Sequence, residues 1–149
     1  MDKLIEDAIE AIRESSPDTS IYLGCDSIRY KKNGAWKARY STIVVIHMGS
    51  KHGAKILHHT EVIDDYGNLK QRLLNEVAYV TSVATSLVDH LDGRRMEVHL
   101  DINSSPAHKS HIAVKEALGW CMGLGLDAKV KPDAWAASHA ADHCVRHMQ

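Results

Sequence analysis

Phenylalanine is absent from the 149 residues, aromatic side chains make up only 5% of them, and there are three cysteines. An odd and widely spaced set (Cys25, Cys121, Cys144) makes no disulfide framework, so a reducing compartment is expected. Charge of one sign is not in excess. Lys+Arg number 18 against 19 Asp+Glu, a formal net charge of -1, whereas a protein that coats nucleic acid through bulk charge carries a clear basic surplus. No apolar run is long enough to cross a bilayer. The opening Met1-Asp2-Lys3-Leu4-Ile5-Glu6-Asp7 has acids where a signal peptide needs bases and an apolar core. No internal repeat, low-complexity tract or linker is visible. The length and 44% hydrophobic content fit one domain over residues 1–149. A chain of this size buries roughly 68–70% of its unfolded surface and needs no metal or disulfide to fold. The expectation is a single cytoplasmic domain without a membrane segment.

Leu4, Ile5, Ala8, Ala11 and Ile12 recur at helical spacing, which predicts an N-terminal helical extension over residues 2–15. Ser20 to Tyr30 is strand-like, Asn33-Gly34 is a strong hairpin signal, and Trp36 to Met48 and Ile56 to Ile63 complete a three-stranded meander. The period then changes. Leu69, Leu73, Val77, Val80, Ala84, Leu87 and Leu91 mark a long helix from about Gly67 to His90. A strand over Met96 to Ile102 follows, then a helix from Ser105-Pro106 to about Met122, a short strand over Asp127 to Lys131, and a last helix from Pro132-Asp133. The order βββ-α-β-α-β-α predicts an α/β fold. One mixed sheet would have an antiparallel meander edge, its last two strands parallel through right-handed crossovers, and helices on its faces.

Most of the acids sit at turns, helix starts or solvated helix faces, where they need no further explanation. Four do not fit so easily. Asp26 lies inside the apolar strand Ile21-Tyr22-Leu23-Gly24-Cys25-Asp26-Ser27, and Asp101 near the end of Val98-His99-Leu100-Asp101-Ile102. By alternation both point away from the apolar face of their strands, and they converge if those strands are neighbours. The competing reading makes both of them strand-end residues. Glu76 falls within the apolar stripe of its helix, a costly place for a carboxylate unless it is paired, snorkels to water or binds metal. Asp142 lies on a mixed helical face beside Ser138 and His139, where an exposed Asp is the alternative. Four gathered carboxylates would repel and take up protons. Hard cations such as Mg²⁺ or Mn²⁺ resolve this, and a pair of them about 3.5–4 Å apart supports in-line displacement at phosphorus.

This order of elements and acids resembles the ribonuclease H-like superfamily, and within it the small YkuK-type proteins. The matching segments are Tyr22-Leu23-Gly24-Cys25-Asp26-Ser27, His99-Leu100-Asp101-Ile102-Asn103, and Lys131-Pro132-Asp133-Ala134-Trp135-Ala136-Ala137 running into Ala140-Ala141-Asp142, within residues 18–147. His139-Ala140-Ala141-Asp142 is similar to the final helix of Holliday-junction resolvases. The resemblance implies a ribonuclease H-like five-stranded mixed sheet ordered 3-2-1-4-5 and a divalent-metal nuclease. Asp26, Glu76, Asp101 and Asp142 would hold two Mg²⁺ or Mn²⁺ ions, and His139 would assist.

Arg29, Lys31, Lys32, Lys37 and Arg39 place five bases in eleven residues, interleaved with Tyr30, Trp36 and Tyr40. They suit DNA or RNA, with aromatic rings stacking on bases, or equally an edge hairpin guarded by charge against aggregation. A zinc hydrolase built on His139, His143 and His147, or on His108 and His111, lacks a His-Glu-x-x-His motif and paired cysteines. Serine-hydrolase and P-loop signatures are missing too. The alternative to a nuclease is a catalytically inactive ribonuclease H-like module that binds nucleic acid or a protein partner. The assembly state is left open, a homodimer being one option.

Overall fold

The computed structural model describes residues 1–49, 53–103 and 105–134. Asp2–Glu14 forms α1, which buries Leu4, Ala8, Ala11 and Ile12, the stripe its spacing marks. Its end is tied down twice. Ser15 Oγ donates to the Ile12 carbonyl at 2.6 Å, and the Arg94 guanidinium donates to the carbonyls of Ser15 and Ser16.

Ser20–Lys32 (β1), Ala35–His47 (β2) and Ala54–Asp64 (β3) form the antiparallel meander. Asn33 and Gly34 turn β1 into β2 with φ of 52° and 80°, the left-handed pair that a two-residue hairpin turn requires. The next helix, α2, spans Leu69–Leu87 and continues through a 3-10 turn over Val88–His90. Asn68 caps it, its side chain accepting from Gln71 N at 3.0 Å. Arg95–Asn103 is β4, Val114–Gly123 is α3 and Ala128–Lys131 is β5. The sheet order is β3-β2-β1-β4-β5, with β4 parallel to both β1 and β5. The fold is thus the expected α/β mixed sheet with an extra N-terminal helix.

One boundary is corrected. Ser105-Pro106 does not open an α-helix. The chain closes tight turns there, His108 N donating to Ser105 O and His111 N to His108 O, and a 3-10 helix over Lys109–Ala113 leads into α3. The short polar run Ser-Ser-Pro-Ala-His-Lys-Ser has no apolar stripe to dock, so α-helix begins only where Val114, Ala117, Leu118 and Cys121 reach the core. Pro132-Asp133 lies in a turn in which Asp133 N and Ala134 N both donate to Val130 O. The helix expected from that point, with His139 and Asp142, lies outside the described residues.

The core sits between α2 and the sheet. Leu73, Val77, Val80, Ala84 and Leu87 of α2 pack on Ile21, Leu23 and Cys25 of β1, Val44 and Ile46 of β2, and Val98, Leu100 and Ile102 of β4. Each large side chain buried there is worth about 1.5–3 kcal/mol. This packing fixes the rotation of α2 and therefore the direction of the one acid on its inner face. No helix among the described residues is long and apolar enough to cross a membrane.

Candidate metal centre

β1 and β4 run parallel side by side, and their last paired residues are Cys25 and Leu100. The next residue on each strand is an acid, Asp26 and Asp101. Strict alternation would set both carboxylates on the face away from α2. On β1 the register with β2 runs unbroken through Asp26, so Asp26 reaches the others from the end of the β1–β4 ladder. On β4 the pairing with β1 stops at Leu100, and the β4–β5 register shifts between Leu100 and Asn103, around Asp101. A shift of this kind re-aims side chains. Glu76 descends from the second turn of α2, between Leu73 and Val77, and is only 5% exposed. One oxygen from each of Asp26, Glu76 and Asp101 lies within 4.8 Å of the other two.

Neighbouring groups hold the trio in place. Ser27 N donates to Asp26 Oδ1 at 2.8 Å, and Ser27 Oγ donates to Glu76 Oε2 at 2.5 Å. The Lys131 ammonium, at the end of β5, pairs with Asp101 Oδ1. Glu76 Oε1 is buried without a hydrogen-bond partner. Burial pushes the Glu76 carboxyl well above the usual carboxylate range. The Asp26 charge adds to this, the Ser27 hydrogen bond opposes it, and Asp101 contributes less. Cys25 is likewise pushed up, by burial first and then by the Glu76 charge, so it is a neutral thiol and no nucleophile. Lys131 loses some basicity to burial but ends above its ordinary value, through its hydrogen bond to Asp101 and the charges of Asp101, Asp26 and Glu76.

A second buried acid shows what a satisfied one looks like. Glu97 on β4 is also 5% exposed. Its Oε1 lies 3.1 Å from His99 Nε2, and its Oε2 pairs with Arg95. Burial raises its pKa, but the His99 hydrogen bond and the Arg95 charge more than reverse that and leave it lowered. The sequence reading passed over Glu97, and nothing in the linear pattern distinguishes it. Glu97 has a partner on each oxygen, the His99 ring and the Arg95 guanidinium, whereas Glu76 has an orphan oxygen facing two more acids. The all-oxygen donor set and that orphan fit a hard divalent cation.

Among the described residues, this trio is the one group of three or more His, Cys, Asp or Glu placed to hold a metal. His108 and His111 are exposed and outside it, and Cys25 and Cys121 are free buried thiols. Asp142, His139, His143 and His147 lie outside the described residues. Two participants escaped the sequence reading. Ser27 could have been found from its place beside Asp26, on the same side of β1 as Cys25. Lys131 could not, since its contact depends on the β4–β5 register.

The basic hairpin is real but divided. Cross-strand register sets Arg29 and Lys31 with Trp36 on one side, and Lys32, Lys37 and Arg39 with Tyr30 on the other. Arg29 lies over the Trp36 ring at 3.8 Å and pairs with Asp65 at 2.5 Å. Lys31 is 5.8 Å from the same ring, Arg39 lies over Tyr30 at 5.1 Å, and Lys37 pairs with Asp64. Two of the five cations are therefore paired with acids.

A mixed sheet in this order, with acids at the end of its two central parallel strands and on the helix packed against them, defines a ribonuclease H-like protein. A family model described as Ribonuclease H-like matches residues 3–146, and the chain belongs to that family, as a YkuK-type member. No curated protein and no solved structure matches it.

Proposed function

We propose that the protein is a divalent-metal-dependent nuclease that hydrolyses phosphodiester bonds of DNA or RNA by a two-metal-ion mechanism. The observation that carries this reading is the orphan Glu76 Oε1, buried against Asp26 and Asp101 at the end of the central parallel strands. Membership of the ribonuclease H-like family supports it.

In this reading Asp26, Glu76 and Asp101 are metal ligands, and Asp142 and His139 join them by position in the family pattern. Bound Mg²⁺ or Mn²⁺ would supply an activated water and stabilise the leaving oxygen. The chain's own residues prepare the place. Ser27 occupies Glu76 Oε2 and so leaves Oε1 as the donor atom, while its amide holds Asp26 Oδ1. The apolar bed of Leu73, Val77, Leu100 and Ile102 excludes water from behind the carboxylates. Arg29, Lys31, Lys32, Lys37 and Arg39 would contact phosphates along the β1–β2 hairpin, with Trp36 and Tyr30 available for stacking.

The test is cleavage of labelled single-stranded, duplex and branched DNA and RNA in Mg²⁺ or Mn²⁺, comparing the parent with Asp101→Asn. The parent is expected to yield products and the variant none. Equal cleavage by both would refute the assignment. Binding that persists in EDTA without products in any metal would identify an inactive binding module instead.

A further inference from the structure

Lys131 is the last residue of β5, a four-residue strand at the sheet edge. Pairing runs Leu100 with Val130 and then jumps to Asn103 with Lys131, so β4 spends Asp101 and Ile102 on a step that β5 makes in one. That offset lays the Lys131 ammonium on Asp101 Oδ1. The other lysine of β5, Lys129, pairs instead with Asp127 at 3.4 Å. Lys131 alone of the two turns to the acids. Its side chain is 44% exposed, so the ammonium has an open way back to water.

One ammonium does not satisfy the cluster. It serves Asp101, whereas Glu76 Oε1 remains buried and without a hydrogen-bond partner. The centre therefore offers two unequal places for positive charge. One is at Glu76 Oε1 and has no partner. The other is at Asp101 and already has a cation of the chain's own.

We propose that Lys131 is a built-in competitor for one of two divalent-cation positions, so that ions load unequally and the Asp101 side fills only when the ammonium withdraws. The inference deepens the metal-centre reading and rests on it, but it does not depend on cleavage. A divalent ion and an ammonium sharing one carboxylate repel strongly at such range in a partly buried site, and removing the ammonium relieves that repulsion.

The experiment is a Mn²⁺ titration of the full chain, followed by the electron paramagnetic resonance of free Mn²⁺ and by calorimetry, at one fixed pH. The parent is expected to bind one ion well and a second weakly. Lys131→Met should tighten the weak event by at least about tenfold. Lys131→Arg, which keeps the charge, should resemble the parent, whereas a merely structural role would not tighten Mn²⁺ binding in the neutral variant. Lys131→Gln, melted alongside, provides a second neutral variant should the Met side chain disturb β5. Superimposable isotherms for the parent, Met and Gln proteins would overturn the competition. Absence of Mn²⁺ binding in the parent and the neutral variants would overturn the metal centre and this inference together. Tightening in the neutral variants, with no nucleic acid cut by any of the proteins, would support the inference and sink only the nuclease reading.

Discussion

Glu76→Gln is the sharpest single perturbation of the centre, because it changes charge without changing length. In metal-free protein near neutrality or above, Glu76 must either carry a charge at a buried site facing Asp26 and Asp101 or hold a proton that solvent would take. Its Oε1 has no partner, and a buried polar group left unsatisfied costs about 1–3 kcal/mol, more when charged. Glutamine removes the repulsion. Its amide oxygen can still accept from Ser27 Oγ, and its amide hydrogens can be donated to the neighbouring carboxylates. The metal-free variant should therefore be more stable than the parent by about 1–3 kcal/mol at roughly pH 8. The sign follows from the direction of the shift. The folded-state pKa of Glu76 is raised, by burial first and then by the Asp26 charge. Its contribution to stability is fully present below the unfolded carboxylate pKa and is lost as pH rises through the raised value. The two melting curves should converge in acid and separate in alkali. Metal should change the ranking. The parent gains about 2.7 kcal/mol when free Mn²⁺ is near 100 times its Kd, and the variant, lacking a charged donor oxygen, gains much less. Thermal and urea unfolding across pH, with and without Mn²⁺, are the assay. A Gln variant less stable than the parent at alkaline pH without metal, or stabilised equally by Mn²⁺, would refute the argument.

Two further predictions follow from the packing and the hairpin. Leu87→Ala, at a fully buried position of α2, should destabilise by about 2–5 kcal/mol in denaturant unfolding. A loss below about 1 kcal/mol would mean that the helix does not pack as described. Lys32→Glu with Arg39→Glu, on one side of the hairpin, should weaken nucleic-acid binding and lower the slope of log affinity against log salt by about 2, roughly one per lost phosphate contact. An unchanged slope in fluorescence anisotropy would make the hairpin a charged edge guard instead.

The two strand acids were legible because a carboxylate inside an apolar strand has no local reason to be there, and Glu76 because it interrupts a helical stripe. Local pattern also carried the meander, since Asn33-Gly34 dictates a tight left-handed turn. What escaped depends on register between distant segments. Lys131 reads as one more basic residue on a short strand until the offset of β4 against β5 sets it on Asp101. Glu97 has nothing in the linear pattern to mark it until the fold sets His99 and Arg95 around it. The start of α3 was misjudged because Ser-Pro is a generic helix opening, and only the absence of an apolar stripe over the next residues argues against it.

The antiparallel meander outruns the parallel half of the sheet. β4 accompanies β1 only as far as Cys25, and from Asp26 to Lys32 the strand keeps β2 as its ladder partner. Six residues at about 3.3 Å each carry the tip roughly 20 Å from the carboxylates. One strand of a duplex advances about 3.4 Å per nucleotide, so that tip stands about six nucleotides from the acids. In the nuclease reading, a polymer gripped at both places would be held at a set offset, and the projecting ribbon would act as a ruler whose gauge is written in residues of β1.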